Sequence, residues 1–361
     1  MMLNATSISS AEDAPPSDGT HQYIERETRR VVTESFLGND LLRFLYGRVR
    51  EKPSLLYRCF ANARVTSLLS FLHLETEWGA SSFGSRAFLD ASGIDPRECL
   101  HNVRYTKKLR EIFLRKIRYW ECRPMPNDPA AVVSPSDSRI LLGSLRNTSM
   151  LFLKDKFFDS VELVGKDKRT WLRAFQDGDF AIFRLTMDKY HYNHAPVAGK
   201  VIDFYRILGS YHSCHPQAVL SLVTPYSKNL RVVTILDTDV PGGTGAGKVA
   251  MVEIAALMIG DIRQCYSDKG YENPQPVGSG LFLKKGRPKS VFYPGSSTVV
   301  LLFQRGRVRF ADDLYANMHA PGVKSLYSEG FGKSLVETDV KVRSLIGTAY
   351  RNIEQKGDFF Q

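Results

Sequence analysis

Phe292-Tyr293-Pro294-Gly295-Ser296-Ser297-Thr298-Val299-Val300-Leu301-Leu302-Phe303 joins a turn of small residues directly to a strongly apolar run. Val299 to Phe303, uncharged and rich in β-branched side chains, predicts a buried strand. Read alone, Gly-Ser-Ser is an ordinary loop. A serine held on a strained turn can also attack the carbonyl that precedes it, and glycine tolerates such a turn best. A free hydroxyl is a poor nucleophile, so that chemistry needs an adjacent base.

The same texture extends backward to Pro124. Short apolar runs alternate with Gly, Pro, Asp and Asn turns, and they predict strands at Val132-Val133, Phe180 to Leu185, Val201 to Leu208, Val232 to Leu236, Val249 to Met258, Leu281 to Leu283 and Val299 to Phe303. Gly242-Gly243-Thr244-Gly245-Ala246-Gly247-Lys248 lacks the spacing of a phosphate-binding loop and has Val249 after the lysine, so it reads as a hairpin turn. Before Pro124 the pattern is helical. Asp40 caps a candidate helix through Leu41 to Val49, a second runs from Ser54 to about Leu72, and a third from about Tyr105 to Trp120. The expected class is therefore α+β: a disordered leader and approach over 1–38, a helical segment over 39–122, and a β-rich catalytic domain over 123–361.

The chain has 361 residues, 43% of them hydrophobic, enough for a full core. Its formal charge of +11 points to a basic surface drawn to polyanions. No aromatic-basic motif of a nucleic-acid module is present, which leaves an anionic membrane face as the better partner. Arg43, Arg48, Arg50, Lys52, Arg58 and Arg64 interleave with the apolar residues of the first two helices. That pattern fits a core-packed hairpin with a solvated basic face, or an amphipathic surface lying on a bilayer. Cys59, Cys99, Cys122, Cys214 and Cys265 are scattered, form no paired motif, and read as reduced thiols rather than a zinc site. Neither a signal peptide nor a spanning apolar stretch is legible, so the expected location is cytoplasmic and peripheral to membrane.

Three further segments bear on the serine turn: Val133-Ser134-Pro135-Ser136-Asp137-Ser138, then Asp188-Lys189-Tyr190-His191-Tyr192-Asn193-His194-Ala195-Pro196-Val197, and Glu337-Thr338-Asp339-Val340-Lys341. Together they supply a carboxylate and two histidines, the partners a nucleophilic serine needs. Ser-Pro-x-Asp at 134–137, Asp-x-Tyr-His-x-x-His-x-Pro-Val at 188–197, Gly209-Ser210-Tyr211-His212 leading to Pro216, and the Gly-Ser-Ser-Thr turn occur in an order that resembles the phosphatidylserine decarboxylase family. The resemblance runs from about Leu41 to Ile346.

The resemblance implies a chain that cuts itself and carries a pyruvoyl group in place of a bound cofactor, with no metal and no pyridoxal phosphate. A branch of the family reads Phe-x-Phe-Gly-Gly-Ser-Thr at the cut, which places the nucleophile at Ser297 and Ser296 where the second glycine stands. Keeping the commoner Gly-Ser bond, after Gly295, makes Ser296 the nucleophile instead. The match assigns His194 as the base, oriented by Asp137, and His191 to the decarboxylation step. Tyr192 stands where arginine is frequent, and Tyr190, Tyr192 and His212 are candidate substrate contacts. The expected products are two chains from one precursor, with a homodimer of these left open. The implied substrate is phosphatidylserine, giving phosphatidylethanolamine and CO2. Decarboxylation of a soluble aromatic amino acid, or lipid binding without processing, are the alternatives.

Overall fold

The computed structural model describes residues 20–34, 89–90, 92–106, 109–146, 157–221, 224–256, 261–294 and 297–350. In chain order the elements used below are β1 (Gln22–Glu25), β2 (Val31–Thr33), α1 (Leu109–Phe113), α2 (Tyr119–Cys122), β3 (Ala131–Val133), β4 (Ser138–Ser144), β5 (Asp179–Leu185) and β6 (Tyr192–His194). There follow β7 (Gly199–Ile207), β8 (Arg231–Asp237), β9 (Lys248–Ala255), β10 (Ile262–Gln264), β11 (Phe282–Leu283), β12 (Pro288–Phe292), β13 (Ser297–Phe303), β14 (Val308–Phe310), β15 (Glu337–Val340) and β16 (Leu345–Ala349). Ten strands form one sheet in the order β11-β7-β8-β9-β13-β5-β4-β15-β1-β2. β10-β12-β6 and β14-β16-β3 form two smaller sheets.

The apolar run at 299–303 forms most of β13, which pairs antiparallel with β5 on one side and β9 on the other. Every residue of β13 and β5 is buried. A strand covered on both faces has no solvent side to mark with polar residues, which explains why these segments read as continuous apolar runs. All the strands expected from the sequence are present. The 238–247 connection joins the antiparallel pair β8 and β9, so the Gly-rich stretch is the hairpin turn expected, with Gly242, Gly245 and Gly247 at positive φ.

Three expectations need revision or fall elsewhere. Residues 22–25 and 31–33, assigned to the leader and approach, are strands β1 and β2 at one edge of the large sheet. β1 pairs in parallel with β15. The third helix, expected from Tyr105 to Trp120, is two short helices, α1 and α2. The chain between them leaves helical geometry because Ile117 bridges to Cys99, with Leu100 N–H donating to Lys116 O and Arg118 N–H to Glu98 O. The first two expected helices lie outside the described residues.

β15 was legible only as an acidic-basic tail, yet all four of its residues are buried. Arg184 on β5 donates to Glu337 Oε1 at 2.9 Å and to Glu34 at 2.8 and 3.1 Å. Arg139 also pairs with Glu34, and Lys189 with Asp339. His21 accepts Leu326 N–H at Nδ1 and so donates from Nε2 to Glu337, at 2.8 Å. Burial opposes charge on Glu34 and Glu337, but the arginines outweigh it and hold both carboxyls well below their usual range. His21, Glu34 and Glu337 could geometrically hold a cation. The Arg184 guanidinium already supplies the positive charge there.

Candidate active site

The motif segments converge on β6. Val133 N–H donates to Pro196 O at 3.0 Å, and His194 N–H to Pro135 O at 2.7 Å. Ser134 exchanges backbone hydrogen bonds with Arg343 and Ser344, just beyond β15. β6 pairs antiparallel with β12, setting His194 opposite Pro288 and Tyr192 opposite Val291. Phe292 N–H then donates to His191 O at 3.1 Å. His191 therefore lies at the end of β12 from which the chain runs on to Ser297, while His194 lies towards the other end.

Strand alternation sorts the side chains of β6 and β13. Ser297 is in register with Ala255, and Val299 with Glu253, so all four share one face of the large sheet. The Glu253 carboxylate accepts from Lys289 Nζ (2.7 Å), Gln264 Nε2 (2.9 Å), Asn193 Nδ2 (3.1 Å) and the Ser290 hydroxyl. Those donors come from β12, β10 and β6, so the small sheet covers the Ser297 face. Asn193 points at Glu253, and alternation sends His191 to the same side.

His191 and Ser297 share a second property. Both are fully buried, and Ser297 Oγ and both ring nitrogens of His191 have no hydrogen-bond partner among the described residues. The imidazole stacks on Phe113 of α1, centroids 3.5 Å apart and planes at 25°. Burial, and the Arg115 charge nearby, push its pKa down to about 3. It is neutral near pH 7 and able to accept a proton. Each unpartnered buried group costs about 1–3 kcal/mol, so each calls for an explanation, of which a catalytic role is one.

His194 lies on the other side of β6 with Tyr190 and Tyr192. Its Nδ1 meets Gly286 O at 3.0 Å, which makes it the donor there, and its Nε2 meets the Tyr190 hydroxyl at 3.0 Å. Tyr119 packs edge-on against the ring at 4.7 Å. Burial pushes the pKa of His194 down to about 3 as well, against the Gly286 bond, which favours the charged form. Gly286 has φ +72, and a Cβ there would meet Met125 Sδ at 2.4 Å, so only glycine presents this carbonyl without displacing the neighbour.

Asp137 is buried in the turn before β4 and accepts from Arg123 at 2.8 to 3.2 Å and from Val342 N–H at 2.8 Å. Burial would raise its pKa, but Arg123 outweighs that and keeps it ionised. No hydrogen bond joins Asp137 to His194 among the described residues. Tyr190 and Tyr192 stack at 5.5 Å, and Tyr190 also hydrogen-bonds the Tyr271 hydroxyl at 2.6 Å. His212 is fixed through its backbone by Asn229, at 2.7 and 2.8 Å. Its segment reaches the Ser297 end of the large sheet through Leu230, whose carbonyl accepts Ala255 N–H. Gly295 and Ser296 lie outside the described residues.

Arg123, Arg115, Phe113, Gly286, Glu253 and Lys289 were not singled out by sequence. Arg115 donates to Asp188 O at 2.7 Å and so holds the turn that leads into His191. The one available signal was the basic, apolar stretch around 109–123, which reads equally well as a surface helix.

The chain was compared with known proteins. The family model described as phosphatidylserine decarboxylase matches residues 109–325, more than half of the chain. A phosphatidylserine decarboxylase proenzyme of Fusobacterium nucleatum is 27% identical over 309 residues, which cover 82% of this chain and 91% of that protein. One of Ruminiclostridium cellulolyticum is 26% identical over 294 residues, covering 81% and 90%. Phosphatidylserine decarboxylase proenzyme 2 of Oryza sativa subsp. japonica is 30% identical over 245 residues, covering 66% of this chain and 36% of that protein. The chain belongs to the phosphatidylserine decarboxylase family, carboxy-lyases made as proenzymes.

Proposed function

We propose that this chain cuts itself before Ser297 and then converts phosphatidylserine to phosphatidylethanolamine and CO2. The observation that carries the proposal is that a buried serine hydroxyl and a buried imidazole on one side of the large sheet both lack a hydrogen-bond partner among the described residues. In the cut, Ser297 Oγ attacks the carbonyl carbon of residue 296 and the amide becomes an ester. Loss of the α-proton of residue 297 then releases the upstream chain as a carboxylate, and water hydrolyses the dehydroalanine left at 297 to a pyruvoyl group with loss of ammonia. Residue 297 suits a pyruvoyl group because it opens β13, where seven residues in register with β5 and β9 hold the new terminus in place. A pyruvoyl group there supplies the electron sink for loss of CO2.

Roles for the remaining residues follow the family pattern. His194, with Asp137, serves as base for the cut, and His191 delivers the proton that replaces CO2. Ser297 is taken as the nucleophile and Ser296 as the alternative. Tyr190 positions His194, while Tyr192 and His212 bound the substrate space. A specific observation favours a second reading for one step. His191 lies on the Ser297 side with both nitrogens unengaged, whereas both nitrogens of His194 are engaged. In that reading His191 takes the Ser297 proton as well.

Access to substrate is proposed at an anionic membrane surface, drawn by the +11 charge and weakened by salt. No described helix is long and apolar enough to cross a membrane. The test is CO2 release from phosphatidylserine vesicles beside free tryptophan, tyrosine and serine, at rising salt. Release from vesicles that declines with salt is expected. Turnover of a free amino acid with none on vesicles would overturn the lipid reading.

A further inference from the structure

Beside α1 opens a cavity of about 620 Å³ whose lining includes His101, Arg110, Glu111, Arg115 and Lys116. That volume is in the range of small-ligand sites. The cations outnumber the single lining carboxylate. Arg115 is buried, and among the described residues its guanidinium donates only to the backbone carbonyls of Ile112 (3.1 Å) and Asp188 (2.7 Å). No carboxylate forms an ion pair with it or with Lys116 among the described residues. A buried guanidinium without an anion is costly, and a bound anion offsets that cost. The cavity also adjoins the site described above. Arg110 lies over the Tyr293 ring at 5.2 Å, four residues before Ser297, and Lys116 lies over the Tyr271 ring at 5.3 Å. Phe113, the last residue of α1 and between Arg110 and Arg115 in sequence, carries the stack on His191.

We propose that this cavity seats the phosphodiester of the substrate headgroup, an inference that rests on the activity proposed above. In phosphatidylserine the phosphate is joined to the serine side-chain oxygen, a few bonds from the reacting amino group. A phosphate held by Arg110, Arg115 and Lys116 would thus tether the amino acid on the His191 side of α1. Arginine suits a phosphate through its fork of donors, and lysine through its compact charge. This seat would separate phosphatidylserine from free amino acids, which lack the phosphate.

The binding test uses the Ser297→Ala protein, so that it is independent of cutting and of turnover. Calorimetric titration with monomeric short-chain phosphatidylglycerol, which has the phosphodiester but no amino acid, is expected to saturate. Arg110→Gln and Lys116→Gln in the same background should each weaken it at least tenfold, while Arg110→Lys and Lys116→Arg retain most of it. A thermal melt of each variant separates lost binding from lost folding. In the processed enzyme, the same Gln substitutions should raise KM for short-chain phosphatidylserine about tenfold per mole of cut chain, with kcat within twofold. Phosphatidylglycerol binding that both Gln variants leave unchanged would overturn the inference. So would inorganic phosphate binding in the cavity while the lipid fails to compete. If the wild-type protein releases no CO2, the proposed activity fails, and the titration still decides whether the cavity takes a phosphodiester.

Discussion

The two sides of β6 carry histidines three residues apart that share burial and a depressed pKa but differ in every contact. His194 has a partner on each ring nitrogen, a tyrosine packed edge-on, and the Arg123–Asp137 ion pair nearby. His191 has a stacked Phe113 and no ring hydrogen bond of good geometry among the described residues. Burial alone therefore does not identify a working residue. An unmet hydrogen-bonding need among the described residues, on the same side of the sheet as a second unmet need on Ser297, is the sharper signal. On the other side of β6 both ring nitrogens of His194 are hydrogen-bonded, to the Tyr190 hydroxyl and the Gly286 carbonyl.

The largest effect expected from this contrast lies on the His194 side. Arg123→Met strands a buried carboxylate, since Asp137 keeps only the Val342 N–H. Loss of one partner of a buried pair costs about 3–5 kcal/mol. Denaturant unfolding should show a drop of that order, and Arg123→Met with Asp137→Leu should recover much of it. Little change in the single variant would mean the pair is not buried as described.

Next come the histidines themselves. His194→Leu leaves the Tyr190 hydroxyl and the Gly286 carbonyl without their partner and should cost about 1–3 kcal/mol. His191→Leu removes no ring hydrogen bond among the described residues and takes unpartnered nitrogens out of the core, so stability should be unchanged or rise by about 1–3 kcal/mol while CO2 release is lost. Kinetics of the cut in the two variants separates the two readings of the base. If His191→Leu blocks the cut and His194→Leu only slows it, the proton passes to His191. The reverse result keeps His194 as base.

Acid stability gives a smaller, graded comparison. His191, His194 and His215 are pushed down to about 3 by burial, below their unfolded value of about 6.5. Above pH 6.5 all three are neutral folded or unfolded and contribute nothing to the pH dependence. As pH falls from 6.5 towards 3 the unfolded chain takes up their protons first, so stability declines. The depressed carboxyls Asp137 and Glu34 act lower. Their contribution is full above about pH 4.5 and is lost as pH falls further. Removing either His191 or His194 should shrink the slope between pH 6 and 4 by about one proton, or about 1.4 kcal/mol per pH unit. An unchanged slope in His191→Leu would mean that its ring is not shut off from water.

Much of the fold was legible because its central strands are buried on both faces. Phe180 to Leu185 and Val299 to Phe303 need no tertiary information to be read as strands. β15 was hidden because Glu337 and Asp339 are polar residues inside the core, made possible only by Arg184 and Lys189 brought from elsewhere. β1 was hidden for a related reason: it is four residues long, lies next to the edge strand β2, and pairs with a strand more than three hundred residues away. Within the site, the serine, the aspartate and both histidines could be named from motifs. Their sorting onto two sides could not, because Tyr192-Asn193-His194 has no apolar alternation to announce a strand. Once β6 is known, the period of two assigns the sides at once.

The central claim is that the bond before Ser297 breaks, and intact mass spectrometry of the purified protein tests it most directly. The account predicts two chains, the smaller running from 297 to 361 with residue 297 itself converted to a pyruvoyl group and its nitrogen lost. That chain carries β13, so the two should migrate as one species until denatured. Ser297→Ala should remain a single chain. A wild-type protein that stays whole on prolonged incubation would contradict the account, and a cut one residue earlier would give the role to Ser296.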